Sequence, residues 1–155
     1  IKSNKTIKIK IEVDCVPPLE FETEEKLLLR PFSFYVKCFT RPSLFAGKMH
    51  ALLFRKWKNR VKGRDWYDLE WYVKKNIPLD VKHFLQRAKD TGDWQKDTIT
   101  REEILQLLSD KIDSVSMDNV KEDVVRFIKD DKVLDIWSKE YFHLLIEKLK
   151  FEREI

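Results

Sequence analysis

The sequence predicts an α+β fold: a fragment of a mixed sheet, with about three strands, followed by a mainly α-helical part of five to six helices. Three observations support this prediction. Apolar and polar residues alternate strictly near the start of the chain, helical periodicity with N-cap residues dominates after residue 40, and only 3 glycines accompany 37% charged residues. Such a composition favours long amphipathic helices over an all-β fold. We expect two units, a partial sheet over 1–40 and a helical C-terminal domain over 41–155.

The predicted strands lie in the first 40 residues. Residues 6–14 alternate with period two, which is typical of a half-buried strand. Pro17 and Pro18 end this strand, and the acidic stretch to Glu25 is expected to be a loop. Residues 27–29 and 32–39 are predicted to be two further extended segments.

The predicted helices are indicated by N-cap residues and by apolar positions that recur every three to four residues. The Thr100–Glu103 pair has the spacing of a capping box. Phe127 is expected to face inward from the fifth helix. The predicted spans are 43–59 with Ser43 as N-cap, 65–75, a helix capped by Asp80, a helix capped by Thr100, a helix opened by Asp118, and 133–151.

The positive charge is concentrated in one stretch of the chain. The formal net charge is only +4, but residues 48–64 contain seven Lys or Arg residues and no acidic residue. A localised basic stretch suits a partner that carries phosphate groups. A solvated helix face is the alternative interpretation.

Several classes of protein are disfavoured. Cys15 and Cys38 belong to no zinc-binding spacing, and the sequence has neither a signal peptide nor an apolar run of about 18 residues. We therefore expect a cytoplasmic protein without a membrane partner. Because the chain starts at Ile1 on a lysine-rich lead, we also expect it to be part of a longer protein, which the DNA upstream of Ile1 would reveal.

Two charged residues fall on faces that helical periodicity predicts to be apolar. Lys48 lies between Leu44 and Leu52 on the first helix, and Asp65 lies near the start of the second. A lysine at such a position either extends its ammonium group to solvent, pairs with a carboxylate, or meets an anionic ligand. The alternatives are a Lys48–Asp65 ion pair that only joins the two helices, and a helix-capping role for Asp65. Gly47 in mid-helix would allow close approach of a backbone or a ligand.

A pair of carboxylates marks the polar face of the first predicted strand. Glu12 and Asp14 are two residues apart, so both side chains could reach one metal ion. A solvated strand face, shared with Lys8 and Lys10, is the alternative. His50, His83 and His143 show no metal spacing, and their sequence positions favour surface or packing roles; the chain contains no glycine-rich phosphate loop.

Three segments resemble the AbiEii/AbiGii toxin family. They are residues 42–57 (Pro-Ser-Leu-Phe-Ala-Gly-Lys-Met-His-Ala-Leu-Leu-Phe-Arg-Lys-Trp), residues 62–69 (Lys-Gly-Arg-Asp-Trp-Tyr-Asp-Leu) and residues 9–14 (Ile-Lys-Ile-Glu-Val-Asp). The family consists of nucleotidyltransferases of the polymerase-β-like superfamily that act in toxin–antitoxin and abortive-infection phage-defence systems of bacteria. The similarity covers the family's C-terminal two-thirds.

The resemblance implies transfer of a nucleotide from an NTP, GTP among the candidates, to an acceptor such as tRNA, with Mg²⁺ and a cognate antitoxin as partner. Carried over by position, Glu12 would hold Mg²⁺, Lys48 would contact the triphosphate, and Asp65 would orient Lys48 or the nucleotide. Arg64 would also contact the nucleotide. Asp14 and Asp68 match less closely.

One family element has no counterpart in this sequence. The family's first motif, Gly-Gly or Gly-Ser followed by Asp-x-Asp, should precede Ile7, but no Asp-x-Asp occurs in the 155 residues. Two-metal phosphoryl transfer needs those carboxylates, so we expect these residues alone to be inactive. The alternatives are a helical module that binds RNA or an antitoxin without chemistry, and a structural domain with an internal Lys48–Asp65 pair.

Overall fold

A computed structural model describes residues 8–55 and 61–152 of the chain. A two-stranded hairpin is followed by six α-helices, which confirms the predicted α+β class. A short 3-10 helix, Asp131–Leu134, lies between the last two α-helices. The elements are β1 (Thr23–Leu28), β2 (Phe34–Phe39), α1 (Arg41–Phe54), α2 (Gly63–Lys74), α3 (Val81–Asp90), α4 (Arg101–Ser114), α5 (Met117–Val125) and α6 (Lys139–Ile146).

The first predicted strand is wrong for the residues that the structure describes. Residues 8–14 form no strand, and residues 6 and 7 lie outside the described ranges. Ile9 and Val13 are each 80% exposed. The period-two alternation specifies two faces, but a strand also requires a neighbour for its backbone N–H and C=O groups. Within residues 8–55 and 61–152, the only sheet is formed by β1 and β2.

The hairpin begins earlier than the sequence pattern indicated. β1 pairs antiparallel with β2 from Thr23 opposite Phe39 to Leu28 opposite Phe34. Part of the acidic stretch that we expected to be a loop is therefore in β1. Its Glu25 lies opposite Lys37, and such cross-strand pairs of opposite charge stabilise a sheet modestly.

The N-cap of α1 is Thr40 rather than Ser43. The Thr40 Oγ1 accepts a hydrogen bond from the Ser43 backbone N–H at 3.4 Å, and Pro42 occupies the first turn, where its missing N–H costs nothing. The helix ends at Phe54, so its predicted extension to residue 59 is wrong at residue 55 and otherwise falls on residues 56–59, which lie outside the described residues.

A buried polar network joins the segment before the hairpin to the helices. Ser43 donates to Asp80 Oδ2 at 2.7 Å and accepts from the Glu22 backbone N–H at 3.0 Å. Asp80 also caps α3, as predicted, by accepting from the His83 backbone N–H at 2.9 Å. The ring of His83 lies 2.8 Å from the Leu19 carbonyl oxygen. These contacts hold the base of the hairpin against α1 and α3.

The core lies among the helices and is rich in aromatic rings. Phe45 of α1 stacks on Tyr72 of α2 with 4.4 Å between ring centroids. Phe142 of α6 contacts the edges of Trp66 and Trp137 at 5.0 and 5.1 Å. Such pairs add specific geometry to the hydrophobic burial. All five rings are buried, so α1, α2 and α6 form the scaffold around which the other helices pack.

The predicted helix over 133–151 is divided. The 3-10 helix ends at Leu134, and α6 starts only after Ser138, whose side chain accepts from the Tyr141 backbone N–H at 3.1 Å. The sequence pattern also placed five side chains of this span on one inner side: Leu134, Trp137, Leu145 and Leu149 are buried, and Tyr141 is half-buried. The capping box at Thr100 is present as predicted, while α5 is capped by Ser116 rather than opened by Asp118.

Candidate functional site

An open cleft of about 670 Å³ lies between α1, α2 and the chain that follows α5. Basic and acidic side chains from all three parts of the chain face it, together with an apolar patch. Its lining residues are Lys48, Arg55, Lys62, Arg64, Asp65, Tyr67, Asp68, Val124, Phe127, Ile128, Lys129, Asp130 and Val133. The structure thus brings three of the four predicted site residues, Lys48, Arg64 and Asp65, into one cleft.

Lys48 is exposed at the cleft and not buried in the helix interface. Its side chain is 47% exposed and its ammonium group pairs with Asp68 Oδ2 at 2.6 Å. Leu44, one turn earlier on the same strip of α1, is also exposed. The buried arc of α1 is therefore narrower than the sequence pattern suggested. Asp68, which matched the family only weakly, is the carboxylate that holds Lys48 in place.

Asp65 has the buried position predicted for it. It is 8% exposed, in the first turn of α2. Burial raises the pKa of its carboxyl group, although the nearby Lys48 and Arg55 favour the charged form. The side chain also borders a second, smaller cleft of about 380 Å³ behind α1. The fold therefore disfavours the charged form of the Asp65 carboxyl group, and such perturbed groups are common at functional sites.

The start of α2 is set by Gly63. Its backbone N–H donates to Asp123 Oδ2 of α5 at 2.9 Å. A Cβ atom at this position would lie 2.2 Å from the Val120 carbonyl oxygen and 2.9 Å from the Val124 backbone nitrogen. Only glycine permits so close an approach of two helices, and this contact presents the next two residues, Arg64 and Asp65, to the cleft.

Gly47, in contrast, is not at a close approach. A Cβ atom there would meet only the Arg87 side chain, at 3.9 Å, which is an ordinary van der Waals contact. The prediction that this glycine admits a neighbouring backbone is wrong for the described residues. Arg87 Nε is buried without a hydrogen-bond partner among those residues.

Arg64 and Phe127 form one rim of the cleft. The Arg64 guanidinium lies 4.4 Å from the centroid of the Phe127 ring. Phe127 is 51% exposed, so the prediction that it faces inward is wrong. The helical pattern was extended two residues too far, because α5 ends at Val125 and the chain turns there. Phe127, Lys62 and Lys129 are cleft residues that the sequence pattern did not single out.

Glu12 does not line the cleft. It is exposed and pairs with Lys10, and the nearby Asp14 accepts from the Val16 backbone N–H at 3.1 Å. Over residues 8–55 and 61–152, no three His, Cys, Asp or Glu side chains come together as a metal-binding group. The described residues therefore do not by themselves fit a magnesium ion, and the role of Glu12 as a metal ligand stays a prediction.

A sequence profile of one protein family covers most of the chain. The family is described as "Nucleotidyl transferase AbiEii toxin, Type IV TA system", and the match spans residues 2–142. The chain belongs to the AbiEii family. The match includes every cleft residue named above, so the cleft is part of the region that defines AbiEii proteins. Searches of curated proteins and of solved structures returned no significant match.

The helices of the AbiEii chain give no sign of a membrane span. In the part of the chain that the structure describes, none is long and apolar enough to cross a bilayer.

Proposed function

We propose that the cleft binds the phosphate groups of a nucleoside triphosphate, and that AbiEii proteins with this site transfer the nucleotide to an acceptor such as tRNA. The observation that carries the proposal is the Lys48–Asp68 pair at 2.6 Å, beside the buried Asp65, in a cleft open to solvent. GTP is the first nucleotide to test. Membership of a nucleotidyltransferase toxin family supports the reaction class.

The charge of the cleft favours an anion. Five of its lining residues are Lys or Arg and three are Asp, so the lining has a net charge of +2. The apolar patch of the cleft lining, which includes Val133 and Ile128, would accommodate the less polar parts of a nucleotide. Ligand sites commonly combine such a patch with a few placed charges.

Each predicted site residue has a role in this proposal that its position allows. Lys48 would donate to a phosphate oxygen while Asp68 keeps its ammonium group at the cleft. Asp65, buried beside it, would orient Lys48 as the triphosphate displaces water. Arg64, exposed on the rim, would contact the phosphates as well. Charge-assisted hydrogen bonds of this kind are among the strongest in proteins.

Mg²⁺ would supply the charge neutralisation that phosphoryl transfer needs. Glu12 is the proposed ligand from this chain, but a complete metal site requires further carboxylates. Because the sequence contains no Asp-x-Asp, we propose that these 155 residues bind nucleotide without turning it over. In the same proposal, residues 1–40 belong to the nucleotidyltransferase sheet and 41–155 form a helical domain.

Replacing Lys48 by Ala tests the site directly. We expect GTP affinity, measured by isothermal titration calorimetry, to fall at least about tenfold, because one charge-assisted hydrogen bond is lost. The matched control is Lys89→Ala, which removes a surface lysine that pairs with Asp97 at the same 2.6 Å. Equal GTP affinity in both variants, or no GTP binding by the parent chain, would contradict the proposal.

The type IV toxin–antitoxin assignment implies a cognate antitoxin. A helical module that binds RNA or this antitoxin without any chemistry is the alternative function. GTP binding decides between the two: in the proposed function it requires Lys48, whereas a module that binds only RNA or the antitoxin would not bind GTP.

A further inference from the structure

Phe127 is an exposed aromatic ring at the edge of a charged cleft. Its backbone N–H donates to the Val124 carbonyl at 2.9 Å, in the turn that ends α5. The turn directs the ring away from the core, and 51% of the residue is exposed. Exposed rings are common on protein surfaces, so exposure alone carries no function. The groups around this ring are what distinguish it.

Two arginines lie over the Phe127 ring. The Arg64 guanidinium is 4.4 Å from the ring centroid and that of Arg126 is 4.9 Å away. Cation–π contacts of this kind favour arginine because its planar group can lie against a ring. The ring and the two guanidiniums over it thus form one cationic cluster of planar groups, which we call the Phe127 platform.

A single carboxylate aligns both sides of the platform. Asp123 Oδ1 accepts from Arg126 at 2.8 Å, and its Oδ2 accepts from the Gly63 backbone N–H at 2.9 Å, directly before Arg64. The two arginines come from sequence positions 62 residues apart but share this anchor. The α2–α5 contact therefore holds the Arg126 side chain and the backbone that carries Arg64 on the same side of the cleft.

The platform continues the cleft outward. Arg64, Phe127 and Lys129 line the cleft, while Arg126 lies beyond its lining residues. Asp130 is the acidic residue on this part of the rim, and Asp123 is already occupied by Arg126 and Gly63. A strand with phosphates on Arg126 and Lys129 would therefore lie beside the Phe127 ring, next to the cleft that contains Lys48.

We propose that the Phe127 platform binds the acceptor strand as single-stranded nucleic acid, with one base stacked on the platform and the adjacent phosphates on Arg126 and Lys129. The inference rests on the proposed function, since it assigns the acceptor to the outer part of the same cleft. Aromatic stacking beside basic residues is a sequence-tolerant way to hold a single strand. A duplex buries the faces of its bases, and an acidic peptide has no base to stack.

The test is the affinity of the chain for a fluorescein-labelled 12-nucleotide oligo(A), as RNA and as DNA, measured by fluorescence anisotropy. Phe127→Ala should weaken binding at least about fivefold, because one stacked base is lost. Phe127→Trp should retain the parent affinity. The matched control is Tyr35→Ala, which removes an exposed aromatic ring from β2, far from the cleft lining.

The salt dependence separates stacking from charge. Arg126→Ala should reduce the slope of log affinity against log salt concentration by about one, whereas Phe127→Ala should leave the slope unchanged. Lys96→Ala is the control for Arg126, because Lys96 also pairs with a carboxylate, Glu103 at 2.6 Å, and lies over a ring, Trp94 at 5.3 Å. Comparison of the affinities for the RNA and the DNA oligonucleotides shows whether the sugar contributes to binding.

Three results would overturn the inference: oligonucleotide binding that is unchanged in both Phe127→Ala and Arg126→Ala, equal losses in the Tyr35→Ala control, or a blunt duplex that binds as tightly as the single strand. GTP affinity of Arg126→Ala should equal that of the parent chain, because Arg126 does not line the cleft that is proposed to hold the nucleotide. Failure of the parent to bind GTP counts against the proposed function, whereas an oligonucleotide affinity that ignores Phe127 counts against the acceptor site.

Discussion

Asp65 is held in a position that costs the folded state stability at neutral pH. Burial raises the pKa of its carboxyl group above the ordinary value of 3.8, and the opposing effect of Lys48, Arg55 and Lys62 does not cancel this. A carboxyl group with a raised pKa in the folded state is tolerated while protonated and becomes unfavourable once ionised. Its cost is therefore absent below pH 3.8 and grows as the pH rises through the folded pKa.

Asp65→Asn should consequently raise the melting temperature at pH 7, because it removes the buried charge and keeps the shape of the side chain. The gain should shrink as the pH falls and approach zero below pH 3.8, where the parent carboxyl group becomes mostly protonated in both states. Thermal unfolding from pH 3.5 to pH 8 measures the difference. A variant less stable than the parent at pH 7 would show that Asp65 stabilises the fold.

For single residues, the sequence correctly predicted the burial of Asp65 but not the exposure of Lys48. The helical wheel marks the direction of a side chain, but it does not show how wide a strip of the helix is covered. The strip of α1 that carries Leu44 and Lys48 is exposed, so Lys48 reaches solvent and pairs with Asp68 across the cleft. Phe127 was missed because its environment depends on where α5 ends.

The contact between α2 and α5 is the element-scale feature on which the cleft depends. Gly63 brings the first turn of α2 against the Val120 carbonyl and the Val124 backbone of α5. The rim formed by Arg64 and Phe127 then follows, since Arg64 comes directly after Gly63 and Phe127 comes two residues after the end of α5. A displacement of α2 from α5 would separate Arg64 from Phe127.

Gly63→Ala should lower the free energy of unfolding by about 1–3 kcal/mol, because the added Cβ would overlap a backbone carbonyl that cannot rotate away. Gly47→Ala is the matched control in α1. Its Cβ has room, so alanine should leave stability unchanged or raise it by up to about 1 kcal/mol through helix propensity. Urea unfolding of both variants measures the two changes in the free energy of unfolding. Equal changes would contradict the conclusion that Gly63 is required by a close approach of two helices.

Helix existence was predictable from local signals, while helix ends were less so. The caps at Asp80 and Thr100 were identified because the side chain and its backbone partner are close in sequence. The N-cap of α1 moved from Ser43 to Thr40 because Ser43 is engaged by Asp80, 37 residues away. A hydrogen bond from a candidate capping residue to a residue so distant in sequence cannot be recognised from the local sequence.

For the whole molecule, the prediction of an α+β chain with a helical majority is confirmed. The conformation of residues 8–14 could not be predicted from the sequence. Their alternating pattern describes a strand that needs a neighbour, and within the described residues the hairpin is not that neighbour. Glu12 accordingly lies outside the cleft lining. Whether it joins a metal site depends on partners that local periodicity does not reveal.

Nucleotidyl transfer by these 155 residues alone should be undetectable. No Asp-x-Asp is present in the sequence and the described residues form no group of three metal-binding side chains, so the metal ions that neutralise a triphosphate would lack ligands. The assay is transfer of label from [α-³²P]GTP to total tRNA with Mg²⁺ or Mn²⁺. Transfer above a Lys48→Ala background would contradict this prediction.

The Asp80 network has a consequence for how the molecule comes apart. One carboxylate accepts from Ser43 at the start of α1 and from the backbone at the start of α3, and Ser43 in turn accepts from the backbone before β1. If one of these buried groups loses its hydrogen-bond partner, the other groups in the network are also left without partners. Detachment of the hairpin base therefore loosens the first turns of both helices together, so amide protons in all three places should exchange with solvent through a shared opening event.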